Sequence, residues 1–286
     1  MKNLLPSPGT VSKILWHFTG GPTWNPKEQR QNRAPKPAER AYSNLKSIIR
    51  TRELLVGQYK ELVKVNVEEP KSGARGRKSK DTRIVPFTLT AVPVCCLSDI
   101  PVIHLAYHAA RYGKFAIGFH REAVLRQRFN PVFYTPSNTR VLRSIYKGFT
   151  ELKFINVETI KFAAWDIETR VQDVDSGEID ISLPLIDIDT EASDIEDYVS
   201  SASRSFRQFL AFVKTFNENE FGSIYCEREW RSLKNYVFEL EDIAMIVLPK
   251  KVGVRKFFDR FTARDANSVK LPRSIPIVPW EDLVEH

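Results

Sequence analysis

Two carboxylates stand one residue apart near the end of the chain, in Tyr225-Cys226-Glu227-Arg228-Glu229-Trp230-Arg231. Side chains alternate along a β-strand, so Tyr225, Glu227, Glu229 and Arg231 are expected on one face and Cys226, Arg228 and Trp230 on the other. Carboxylates about 7 Å apart on one strand face repel each other. Such pairs occur where one is held protonated or where a cation is stabilised. An exposed strand with cross-strand salt bridges to Arg228 and Arg231 accounts for the same residues.

A second candidate is Trp16-His17-Phe18-Thr19, ended by Gly20-Gly21-Pro22. On a strand, His17 and Thr19 face together, a donor and acceptor pair able to hold an amide or a ribose hydroxyl. A strand-end histidine satisfied by backbone is the plainer alternative. A third candidate is Cys96-Leu97-Ser98-Asp99, where a strand ending in small polar residues can line a pocket. Tyr107 and Tyr112 lie on the helix that follows and can supply an aromatic face, although packing explains either tyrosine equally well. No CxxC pair is present, and no metal site is expected.

These residues need a scaffold. Ile14 to Thr19 reads as a strand, followed by a polar, Pro-rich loop over about Thr23 to Pro37. Leu45, Ile48 and Ile49 mark a helix over about Ala38 to Arg52. Strands are expected at Val92–Leu97, Lys114–Phe119, Pro131–Tyr134, Ser223–Trp230 and Ile243–Leu248. Helices are expected at Ile103–Tyr112 and Arg121–Arg128. A capping box at Ser193 and Glu196 opens a long helix over about Asp194 to Phe216, with Val199, Phe206, Leu210 and Val213 roughly on one face. Strands interrupted by unequal helices, with neither GxGxxG nor GxxxxGK[ST], point to an α+β fold with a mixed sheet flanked by helices rather than a Rossmann or P-loop fold.

Two insertions interrupt this order. Residues 70–83 hold six Lys/Arg and one Asp, and read as a mobile loop or an insertion tip. Residues 171–203 hold ten Asp/Glu and no Lys/Arg, and the acidic insertion is placed at about 171–198. The whole of 1–286 is expected to form one principal domain with these insertions.

Together the pieces resemble the ADP-ribosyltransferase fold in its His-containing branch, with a mixed or split sheet. More narrowly they resemble the AbiGi-type abortive-infection proteins of bacterial phage defence. The resemblance rests on Trp16-His17-Phe18-Thr19, Cys96-Leu97-Ser98-Asp99-Ile100-Pro101, Tyr112-Gly113-Lys114-Phe115-Ala116-Ile117-Gly118-Phe119 and Glu227-Arg228-Glu229-Trp230-Arg231, across about residues 14–250. It implies an NAD-dependent transferase in which NAD is consumed as ADP-ribose donor. His17 would bond the nicotinamide ribose, with Thr19 beside it and Ser98 on the neighbouring strand. Tyr112, or failing that Tyr107, would stack on nicotinamide. Glu229 would be the catalytic glutamate and Glu227 its partner, although the spacing alone does not say which of the two is catalytic. Relatives with a His–Tyr–Glu triad carry a tyrosine on the middle strand, where this chain has Cys96 and Ser98. That departure leaves an inactive descendant open.

Composition bears on partners. Net charge is +8, which favours polyanions. Arg75, Arg77, Lys78 and Lys80 are the expected nucleic-acid contacts, making RNA or DNA the expected acceptor and a protein acceptor the alternative. The competing class is a non-enzymatic, antitoxin-like or nucleic-acid-binding module, and a partner antitoxin is a further possibility. The apolar fraction is 42%, without a run long enough to span a bilayer. The first residues lack a signal-peptide h-region. Three cysteines fit no disulfide framework. A cytoplasmic protein without a membrane partner is the resulting expectation.

Overall fold

The computed structural model describes residues 12–25, 27–28, 30–32, 34–72, 78–154, 188–217, 219 and 227–284. Strand β1 is Ile14–Phe18, and the short β2 and β3 are Trp24–Asn25 and Arg30–Gln31. Helix α1 is Ala38–Thr51, β4 is Glu53–Leu54, β5 is Lys60–Ser72, β6 is Lys78–Pro93 and β7 is Cys95–Ser98. Helix α2 (Leu105–Tyr112) leads to β8 (Ala116–His120), α3 (Arg121–Arg126), β9 (Asn130–Pro131) and β10 (Phe133–Pro136). Helices α4 (Arg140–Phe154) and α5 (Ile188–Leu210) follow. The chain closes with β11 (Val213–Phe216), β12 (Glu229–Ser232), β13 (Tyr236–Val237), β14 (Ile243–Leu248), β15 (Lys251–Val252), β16 (Arg255–Lys256), β17 (Ile277–Pro279) and α6 (Trp280–Val284).

The chain divides into two compact units. The first comprises residues 1–62, 90–136 and 211–286. Its centre is a mixed seven-stranded sheet in the order β17-β14-β8-β1-β7-β12-β9. β14 and β17 are parallel, while the other paired strands run antiparallel. The central strands are apolar on both faces, as strands covered on both sides must be. Leu15, Ile117, Phe119, Ile246 and Leu248 face one core, built with α1 and the residues around Phe257 and Phe261. Trp16, Phe18, Ala116 and Val247 face the other, with Ile100, Leu105 and Trp280.

Helix α1 forms where Ala41, Tyr42, Leu45 and Ile49 recur at helical spacing and are buried. Glu39 lies in its first turn and Arg50 in its last, each favourable to the helix dipole. The helix stops at Arg52, whose φ of 54° is left-handed. Beside the sheet, β10 and β11 form a parallel pair that sets Tyr134 opposite Lys214.

The second unit comprises residues 63–89 and 137–210. Its described residues are the outer parts of the paired strands β5 and β6 and the helices α4 and α5. Val63, Val65, Leu89 and Leu142 are buried. Phe87 packs on Tyr146 at 4.6 Å between ring centres.

Several expectations change. Lys71–Ser72 and Lys78–Arg83 are strand rather than loop; the two strands pair with each other, and backbone pairing needs no apolar periodicity. Residues 73–77 lie outside the described residues, as do 171–187 of the acidic stretch. The expected helix to Phe216 ends at Leu210, and Val213 begins a strand. The Pro-rich loop holds the β2–β3 pair. Of the expected strand Ser223–Trp230, Glu229 and Trp230 are strand and Glu227 and Arg228 are not, while residues 223–226 lie outside the described residues. No helix among the described residues is long and apolar enough to cross a membrane.

Gly118 stands opposite Trp16 on β1. A Cβ there would lie 2.7 Å from Ile14 Cγ2 and 3.0 Å from the Trp16 ring. Gly118→Ala is expected to lower stability by about 1–3 kcal/mol through overpacking, read from the urea midpoint. A loss below about 0.5 kcal/mol would show that the Trp16 layer can shift.

Candidate functional site

Glu229 opens β12 and points away from the Leu97–Trp230 side of the sheet. Its register partner on β7 is Ser98, and that of Arg231 is Cys96. The alternation expected for this strand therefore holds from Glu229 onward, and it brings Glu229 and Arg231 into direct contact. Arg231 Nε donates to Glu229 Oε2 at 2.8 Å, and its Nη2 bonds the same oxygen. Arg231 also bonds Glu61, and its Nη1 donates to the Ala211 carbonyl at 2.6 Å. Its side chain is 0% exposed, so the expected exposed salt bridge is a buried one.

Lys214 completes the network from β11. Its Nζ donates to Glu229 Oε1 at 3.2 Å and also bonds Glu227 Oε2. Glu227 lies before the strand, not on it, because Arg228 adopts a left-handed φ of 39°. The two carboxylates nevertheless converge, with Lys214 between them. Arg111 Nη1 and the Tyr112 hydroxyl donate to Glu227 Oε1 at 3.0 and 3.2 Å. The Glu229 amide donates to the Tyr134 hydroxyl at 2.7 Å. Arg228 itself turns away and pairs with Asp99 at 3.1 Å.

Burial raises the Glu229 pKa, but Arg231 and Lys214 outweigh it and hold the carboxyl well below the ordinary range. For Glu227 burial prevails over Lys214 and the value rises. Both glutamates lift Lys214 above its ordinary value despite its burial. Glu229 is thus an ionised, doubly paired anion.

A cavity of about 510 Å³ opens beside this network. His17, Lys36, Arg40, Tyr59, Tyr112 and Glu229 are among its lining residues, with Cys96 and Lys214. β1 and β7 register through a single pair, Trp16 with Ser98. Beyond it, His17 Nδ1 donates to the Cys96 carbonyl at 3.3 Å, since a carbonyl can only accept. Burial lowers the His17 pKa to about 4, against that bond and with Lys36 adding to the effect. The Arg40 guanidinium has no hydrogen-bond or ion-pair partner among the described residues, and α1 brings it to the cavity within one turn of Lys36.

Of the residues expected to act together, His17, Tyr112 and Glu229 meet at this cavity, and Glu227 lies behind it. The others sit elsewhere. Thr19 follows the strand and is buried, its hydroxyl donating to the Ala41 carbonyl at 2.8 Å. Ser98 is buried against His108, with Oγ to Nε2 3.4 Å. Tyr107 is 58% exposed and does not line the cavity. Tyr112 stacks on His108 at 4.3 Å rather than standing free. Arg75 and Arg77 lie outside the described residues, and Lys78 and Lys80 fall within β6. Lys214, Glu61, Tyr59 and Tyr134 are not among the residues expected to carry chemistry. No local signal singles out Lys214, because the apolar spacing of the preceding helix continues numerically to Val213. Among the described residues no three His, Cys, Asp or Glu side chains gather as a metal site.

The class these features define is a mixed α+β protein whose late-strand glutamates are tied into a buried ion network facing a cationic cavity. The family model described as "Putative abortive phage resistance protein AbiGi, antitoxin" matches residues 60–281, and the chain belongs to this phage-defence family. No curated protein and no solved structure matches the chain.

Two outcomes follow from the network and the buried histidines. Arg231→Met leaves Glu229 and Glu61 buried without their shared cation and should cost about 3–5 kcal/mol. Adding Glu229→Gln should recover part of that loss in urea unfolding, while strictly additive losses would deny the coupling. His17 and His108 are each lowered to about 4 from 6.5, chiefly by burial. The unfolded chain then binds more protons between those values, so stability falls as pH drops from about 6.5 toward 4. His108→Asn should flatten the slope of stability against pH by about one proton near the middle of that window. An unchanged slope would mean that His108 titrates normally.

Proposed function

We propose that the chain serves phage defence as an antitoxin-type binding protein, restraining a partner by contact and turning over no substrate at the Glu227–Glu229 site. The observation that carries this reading is the double capture of Glu229, with Lys214 on one oxygen and Arg231 on the other. A carboxylate stabilises a developing ribose cation through its field, and two adjacent cations cancel that field. A depressed pKa also makes Glu229 a poor general base. The antitoxin description of the family supports the same reading.

One observation favours a second reading: His17, Tyr112 and Glu229 line a common cavity. On this reading the fold is ADP-ribosyltransferase-like. The chain is then an NAD-dependent mono-ADP-ribosyltransferase, a toxin-like effector that modifies RNA or DNA or, alternatively, a protein. The cavity volume lies in the small-molecule range of about 300–1,000 Å³, and Lys36 and Arg40 suit a pyrophosphate. These residues fit holding the dinucleotide. The doubly paired Glu229 does not fit cleaving it.

The deciding assay is transfer from labelled NAD⁺ to a mixture of RNA, single-stranded DNA and protein, with Glu229→Gln alongside. The expected result is no label on any acceptor and no loss of NAD⁺. Label on nucleic acid that vanishes in Glu229→Gln would overturn the proposal in favour of the transferase, and label on protein would do so with a different acceptor.

A further inference from the structure

The segment Lys250-Lys251-Val252-Gly253-Val254-Arg255-Lys256 folds into a tight hairpin of β15 and β16, with Lys251 opposite Lys256 and Val252 opposite Arg255. Gly253 takes a left-handed φ of 59° at the first turn position, as a two-residue hairpin turn requires. A Cβ built there would meet nothing within 4 Å, so the turn projects into open space. Val254 at its apex is 96% exposed and Val252 is 42% exposed. Directly opposed like charges destabilise a strand pair, yet the side-chain ammonium groups of Lys251 and Lys256 have no ion-pair or hydrogen-bond partner among the described residues. The flanking cations are spoken for: Lys250 pairs with Asp282, and Arg255 with Glu39 at 3.1 Å.

We propose that this hairpin is a surface anchor for an anionic lipid bilayer, with Val254 and Val252 entering the headgroup layer and Lys251 and Lys256 meeting lipid phosphates and carboxylates. The apolar atoms form the apex and the two unpaired cations lie just behind it, which is the order of depth that an interface demands. A nucleic-acid backbone would satisfy the lysines but would leave the apex valines in water. The contact requires no spanning helix, and it is independent of the cavity and of the reading given to it.

The test is co-sedimentation of the full chain with phosphatidylcholine vesicles, with and without phosphatidylserine, at low and high salt. Binding is expected only with phosphatidylserine and should weaken as salt rises. Lys251→Gln with Lys256→Gln should weaken it by about fivefold per lysine. Val254→Ser should weaken it comparably while leaving any binding to a soluble polyanion, heparin, unchanged. Failure of the wild-type chain to sediment with phosphatidylserine vesicles would overturn the proposal. So would vesicle binding that Val254→Ser leaves intact, which would mark the hairpin as a general polyanion contact.

Discussion

The first unit depends on the pairing of Arg231 with Glu229 inside the protein. A guanidinium with no exposed surface is tolerable only if its donors are satisfied and its charge is matched. Glu229, Glu61 and the Ala211 carbonyl meet that demand. These partners come from β12, from the start of β5 and from the residue just past α5, so the pair fixes how three distant stretches of chain approach one another. The surrounding carboxylates Glu61, Glu227 and Glu229 are balanced by Lys214, Arg231 and Arg111. Because removing one buried partner costs more than the pair contributes, the network acts more as a specification of geometry than as a source of stability.

That balance decides what the site can do. Glutamates in a cavity attract chemical interpretation, since an unpaired carboxylate exerts a strong field in a region of low dielectric. Here the field is spent internally. Glu229 faces the cavity together with Lys214, and the remaining charges on the cavity wall, Lys36, Arg40 and Arg111, are positive. Any small molecule entering meets a cationic surface with aromatic rings from Trp24, Tyr59 and Tyr112. Such a surface favours holding an anion over generating a cation.

The parts of this arrangement legible in the sequence are those encoded within a single element. β1, α1, α2, β8 and β14 follow from alternation or helical spacing, because their apolar residues face cores on known sides. Glu227 and Glu229 stand out as a pair for the same local reason. Lys214 does not: the apolar spacing of Val199, Phe206 and Leu210 continues numerically to Val213, and nothing local says that the helix stops at Leu210. Tyr134 and Glu61 lie far away in sequence and matter only through the fold. The basic segment 70–83 shows the opposite failure, where charge density suggests a loop although its flanks are held by pairing between β5 and β6.

Arg228 shows how the network is held in register. A left-handed backbone at a residue with a side chain costs on the order of 1 kcal/mol, and here it lets Glu227 leave the strand line while still reaching Lys214. Asp99 is placed to offset that cost. Its amide donates to the Arg228 carbonyl at 3.0 Å, and its carboxylate takes the Arg228 guanidinium at 3.1 Å and that of Arg121 at 2.7 Å. Arg121 lies in turn over the Trp230 ring at 5.2 Å. The strained residue is therefore clamped from the end of β7 and the start of α3, and the clamp ends on the side chain between Glu229 and Arg231. The carboxylate pair that the sequence places on one regular strand is thus formed by an irregularity, and that irregularity is fixed by charges on the neighbouring elements.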